Sequence, residues 1–107
     1  MNRQQQINLF SLAAHRLAVA RLREEPQRLL EVRGVLERWR VQAGEPAHCD
    51  PYWNEWDRLL SEGVDAIERA VCVATDQAAT LRSMSPLGRL ISVGERNELL
   101  RRARVPA

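Results

Sequence analysis

Pro51–Leu60 reads PYWNEWDRLL, and it holds three of the chain's five aromatic residues, Tyr52, Trp53 and Trp56. Trp53, Trp56 and Leu60 fall three and four residues apart, the spacing of one helical face, while Tyr52, Trp56 and Leu59 mark the adjacent face. Asp50-Pro51 reads as an N-cap followed by a first-turn proline, and Gly63 closes the segment, so a helix is predicted from Asp50 to about Glu62. Two uses compete for the rings. Core packing would send each indole N–H to the surface or to a carbonyl. An interface anchor would leave a ring for a partner, since Trp and Tyr dominate binding hot spots. Trp39 brings another large ring from a second predicted helix to the same junction, which favours the core. Trp56 is assigned to the core, and Trp53 stays open between core and partner anchor.

Working outward, the N-terminal segment from Asn2 to about Arg23 carries Ile7, Phe10, Ala14 and Leu17 at helical spacing. Leu9, Leu12, Val19 and Leu22 widen its apolar surface beyond one stripe, as in a helix central to a bundle or shared with a second chain. A second helix begins near Pro26, whose missing N–H is harmless in a first turn, and ends at Ala43-Gly44. Its stripe is Leu29, Val32, Leu36 and Trp39. Gly34 lies off that stripe and either lowers helix propensity by ~1 kcal/mol or permits a close helix approach. GEPAHCDP, residues 44–51, is the clearest loop.

Past Gly63, a short helix is predicted over Val64–Val73. Thr75-Asp76 caps a fifth helix over DQAATLRSM, and Pro86 breaks it. Ser92 and Glu95 form a capping box for a last helix through about Arg102, with residues 103–107 frayed. No period-2 run of β-branched or aromatic residues and no internal repeat occurs. The predicted fold is one all-α domain over residues 1–107, a compact bundle of about five to six short helices.

The chain has 107 residues and is 45% hydrophobic, enough for a modest core without staples and too much for a disordered chain. Its formal charge of +2 is too small for a global field that recruits nucleic acid or membrane. All 16 basic residues are Arg. That usage fits guanidinium recognition of phosphate or carboxylate, and it also fits the codon bias of a GC-rich genome. Charge is segmented: residues 1–40 sum to +4, residues 41–81 to −6 and residues 82–107 to +4. Opposite segments can pair inside one bundle, or the basic ends can meet an acidic partner or nucleic acid.

Two cysteines, Cys49 and Cys72, are too few for a disulfide scaffold and match no redox or zinc spacing. No stretch reaches the ~20 apolar residues of a membrane span, and the N-terminus does not read as a secretory signal. A cytoplasmic, reduced protein is expected. Zinc would need His48, Cys49, Cys72 and His15 to converge, and nothing in their spacing brings them together. A Cys–His–acid triad lacks the same convergence and has no glycine-rich oxyanion loop, and no phosphate-cradling glycine loop is present. No catalytic, cofactor or metal site is predicted, and the chain is read as a non-enzyme. A helix-turn-helix from the last two helices would put Arg82, Arg89, Arg96, Arg101 and Arg102 near phosphates. The connection SMSPLGRLI is longer than that motif's turn, and the last helix lacks a base-reading run.

From Tyr52 on, YWNEWDRLLSEGVDAI is followed by LRSMSPLGRLISVGERNELL. This resembles a group of small bacterial proteins that share W-x-x-W/L-x-x-L-L-x-x-G, then L-R-x-x-S-P-hydrophobic-x-x-L, then E-R-x-x-L-L. The upstream RLREEPQRLLEVRGVLERW resembles their helix, acid-Pro break, helix and Trp. Leu87 stands where those proteins carry an aromatic. The resemblance implies an antitoxin-like protein that neutralises a partner encoded beside it. Physically, Arg82 and Glu95 flank the Ser85-Pro86 corner and are placed to pair across it, an ion pair that would fix its angle. Alternatively Arg82, Arg96 and the corner form a recognition surface.

The expected function is therefore protein binding without catalysis. The candidate partner-binding residues are Phe10, Trp53, Arg82 and Arg96. The partner is a protein, concretely a toxin, and a homodimer through the first helix suits the same apolar breadth. DNA binding by the Arg-rich C-terminal third is the alternative.

Overall fold

The computed structural model describes residues 2–44 and 50–104. These residues form six α-helices and two single 3-10 turns, with no strand among them, so the chain is an all-α bundle. The helices are α1 (Arg3–Glu24), α2 (Leu29–Ala43), α3 (Asp50–Glu62), α4 (Val64–Val71), α5 (Asp76–Ser83) and α6 (Val93–Arg104).

Local sequence accounts for most of the boundaries. Asn2 caps α1: its Oδ1 accepts the Gln5 N–H at 2.8 Å, and Gln5 Oε1 accepts the Asn2 N–H at 2.9 Å. Thr75 Oγ1 accepts the Ala78 N–H at 3.1 Å to start α5. Ser92 and Glu95 form the expected reciprocal box, at 2.9 and 3.1 Å, to start α6. Gly63 sits at φ 108°, where a Cβ is strained, and its N–H closes α3 on Leu59 O at 3.0 Å.

Three boundaries differ from expectation. Pro26 opens a 3-10 turn, Pro26–Arg28, ahead of α2 rather than the helix itself, because Glu25 leaves the helical region at φ −132° and ψ 70°. The fourth helix stops at Val71, two residues early, where the Arg82 guanidinium takes the carbonyls of Val71 and Val73. The last helix continues through Ala103 to Arg104, so those two residues are helical rather than frayed. Most of the predicted loop, with His48 and Cys49, lies outside the described residues, as do residues 105–107.

The 22-residue α1 is the central element, packed against α4, α5, α6 and the second 3-10 turn, Leu87–Leu90, while α2 packs on α3. The core unites Ala18, Val19 and Leu22 of α1 with Val32 and Leu36 of α2, the Trp53–Leu60 face of α3, Ile67 and Val71 of α4, and Leu87 and Leu90. Trp56 is fully buried and donates its Nε1–H to Leu81 O at 2.9 Å. Burying ~200 Å² of indole stabilises the fold by roughly 5 kcal/mol, and the bond removes the cost of hiding its one polar group.

The charge segments meet within the bundle. Arg23 of α1 reaches Asp65 at 2.9 Å and Glu68 at 3.1 Å, both on α4, and Arg33 of α2 reaches Asp57 of α3 at 3.6 Å. Each contact joins the basic first segment to the acidic second one. These pairs are largely solvated and contribute little individually.

Candidate functional site

Three of the four candidate residues converge. Phe10 on α1, Arg82 on α5 and Arg96 on α6 line one cavity of about 230 Å³, between α1, the end of α5, the Leu87–Leu90 turn and the start of α6. Arg96 stacks over the Phe10 ring, its guanidinium carbon 5.5 Å from the ring centroid, a cation–π contact at the rim. Ala14, Ala18, Leu87 and Ile91 make an apolar floor, and no acidic residue lines the cavity among the described residues.

Trp53 lies elsewhere. It is 8% exposed, sits in the core and packs against Trp39 with ring centroids 6.4 Å apart. The second helix does bring its ring to the aromatic turn, and Trp53 presents little free area to a partner.

Arg82 is 5% exposed, and its placement differs from the expected corner pair. Its Nη1 donates to Val71 O at 2.8 Å and to Val73 O at 2.9 Å, and its Nε donates to Ser11 Oγ at 3.1 Å. It does not bond Glu95. Glu95 accepts from Arg21 Nη2 at 2.7 Å, a tie from α6 to α1. The physical reason lies in helix adjacency: α5 packs on α4, so the guanidinium falls on the carbonyl of Val71, at the negative end of α4, and on that of Val73 just beyond it. Burial pushes the Arg82 pKa down from the usual arginine value. The Glu95 carboxyl is held below the ordinary range, first by the Ser92 backbone N–H and then by Arg21.

His15, which sequence reasoning considered only as a metal or triad residue, is a wall of the same cavity and 9% exposed. Its Nδ1 lies 2.7 Å from Ser11 O. A carbonyl only accepts, so Nδ1 carries the proton and Nε2 is left as a lone pair, buried and without a partner among the described residues. Burial, with a smaller contribution from the Arg82 charge, lowers the His15 pKa to about 4, and the Ser11 bond only partly opposes it. The available signal was a histidine four residues after a serine on an apolar helical face.

A second feature is the N-terminal half of α1. Its buried residues begin at Ala14, while Ile7 and Leu9 are each 47% exposed. Ile7 and Phe10 border a groove of about 320 Å³ against Leu100 and Ala103 of α6. Leu9 and Leu12 border one of about 550 Å³ against Asp76, Ala79 and Arg82 of α5 and the Ala74-Thr75 segment before it. Of the arginines considered for phosphate contact, Arg89, Arg96, Arg101 and Arg102 are exposed, whereas Arg82 has turned inward. Arg101 and Arg102 both share Glu98. Among the described residues there is no metal-ligating cluster, and no helix is long and apolar enough to cross a membrane.

No family model, no curated protein and no solved structure matches this chain.

Proposed function

We propose that this chain is a non-enzymatic protein-binding module, in its concrete form an antitoxin-like cytoplasmic protein that docks on and neutralises a partner protein. The observation that carries the reading is the uncovered apolar half of α1, where Ile7 and Leu9 each head a groove outside the core. An exposed apolar side chain beside a groove is a shape that a partner side chain fills, and desolvating such a centre supplies most of the affinity of a stable interface. Arg3 and Arg104 beside the Ile7 groove supply a polar, basic rim. The antitoxin-like form rests on the sequence resemblance of residues 52–100 and of the Arg21–Trp39 stretch.

The test is capture of a stoichiometric partner from the native host at high salt with nuclease, by the wild-type chain and by an Ile7→Glu, Leu9→Glu variant. The expected result is one protein retained by the wild type and lost from the variant, with the variant's helicity and melting point unchanged. Equal capture by both would remove Ile7 and Leu9 from the interface. Retention of nucleic acid alone, lost steeply as salt rises, would replace the reading with phosphate binding through the exposed C-terminal arginines.

A further inference from the structure

We propose that the cavity between Phe10, Arg82 and Arg96 is a binding site for a small monocarboxylate carrying a short apolar chain. The inference is independent of partner docking and rests on three observations.

The first is charge without a counter-ion. Arg82 is buried and has no carboxylate partner among the described residues; its Nη2 makes no hydrogen bond there, while Nε and Nη1 are used. The carbonyls at the end of α4 offset part of its charge, yet a buried cation gains most from a full anion. Arg96 also has no ion pair there and rests on the Phe10 face. By contrast Arg21, Arg23, Arg28, Arg33, Arg58 and Arg101 all reach acids. Arg3, Arg16, Arg38, Arg40, Arg69, Arg89 and Arg104 also reach no acid among the described residues, but none of them is buried, so what sets this cavity apart is the burial of Arg82.

The second is the lining. Beyond the two guanidiniums, the Ser11 and Ser85 hydroxyls and the His15 ring are polar, and the floor of Ala14, Ala18, Leu87 and Ile91 is apolar. A guanidinium edge matches a carboxylate. A bare phosphate or sulfate would leave the apolar floor against water, whereas a hydrocarbon tail covers it.

The third is size. About 230 Å³ is the space of roughly seven or eight waters at ~30 Å³ each, below the usual range for drug-sized ligands. It fits a carboxylate with a short alkyl chain or one ring and excludes a nucleotide.

The experiment uses hexanoate as the probe and the His15 ring resonances as the readout, assigned with a His15→Gln variant, because His15 lines the cavity. The expected result is a saturable shift of His15 with Kd on the order of 1 mM at low salt. Arg96→Gln, at an exposed side chain, should weaken binding roughly tenfold through loss of a charge-assisted contact. Hexanol, equal in length and uncharged, should bind at least about tenfold more weakly than hexanoate. Hexanol binding as well as hexanoate would overturn the proposal by removing the guanidiniums from recognition. Inorganic phosphate binding as well as hexanoate would overturn the carboxylate class. Absence of a saturable shift in wild-type protein that melts normally would overturn the site itself.

Discussion

Acidification from pH 7 to pH 5 should destabilise this fold mainly through one side chain, His15. In the unfolded chain its imidazole takes a proton near pH 6.5, whereas in the fold it does so only near about 4. Between those values the unfolded state binds the extra proton, so stability rises with pH and is lost as pH falls through that window. At pH 5 the unfolded histidine is almost fully protonated and the folded one about a tenth, and integrating the difference gives a loss of about 2 kcal/mol, growing to about 3 kcal/mol at pH 4. The cause is geometric. Nδ1 already donates to Ser11 O, so the added proton lands on Nε2, a buried atom with no acceptor, facing the field of Arg82. The carboxylates held low by their partners, Glu55, Glu95 and Glu98, move the same way but only as pH falls below their unfolded value of 4.5. The assay is urea unfolding of wild type and His15→Gln at pH 7, 6 and 5. Gln keeps a donor for Ser11 O and does not titrate. The wild-type midpoint should fall steeply across the series while that of the variant stays nearly flat. Parallel losses in both proteins would refute the assignment of the acid sensitivity to His15.

Gly34, inside α2, and Gly63, between α3 and α4, should respond in opposite directions to alanine. At Gly34 an added Cβ would meet only the Arg38 Nη1 end, at 3.6 Å, so Gly34→Ala should raise stability by up to ~1 kcal/mol in thermal melts. At Gly63, with φ 108°, the same change should cost about 1–3 kcal/mol, and a neutral result would mean that the α3–α4 junction relaxes. Arg82→Gln should cost about 3 kcal/mol in urea unfolding, because the buried Val71 carbonyl and the part-buried Val73 carbonyl lose their charged donor. An equal or higher midpoint would show that desolvating the guanidinium offsets all it contributes.

The elements were legible wherever a signal is local. Ser92 with Glu95, Thr75 ahead of α5, and Gly63 between α3 and α4 each act within a few residues, and each stands where it was read. Trp56 was legible because its neighbours at helical spacing are apolar, and its burial followed. The end of α4 was not legible, since the group that stops it, Arg82, lies 11 residues further on from Val71 and acts through helix packing. The corner pair misled for the same reason. Arg82 and Glu95 are near in sequence, but each was claimed by a partner from another helix, Glu95 by Arg21 across 74 residues. Proximity along the chain proposes contacts, and the order in which helices stack decides between them.

The partly covered half of α1 reflects how its neighbours are placed. At 1.5 Å per residue, the 22 residues of α1 span about 33 Å, while α4 and α5, of eight residues each, span about 12 Å and α6 about 18 Å. α4 and α5 are each much shorter than α1, whereas α6 follows it from Arg21, which pairs with Glu95, to the groove between Ile7 and Ala103. At the N-terminal half of α1, α5 and α6 stand on either side of it, which leaves Ile7 and Leu9 half exposed beside two grooves. The same gap between α5 and α6 opens the cavity in which Arg82 and Arg96 stand without acids. The groove beside Ile7 and the cationic cavity share Phe10, so the two lie side by side on the same helix.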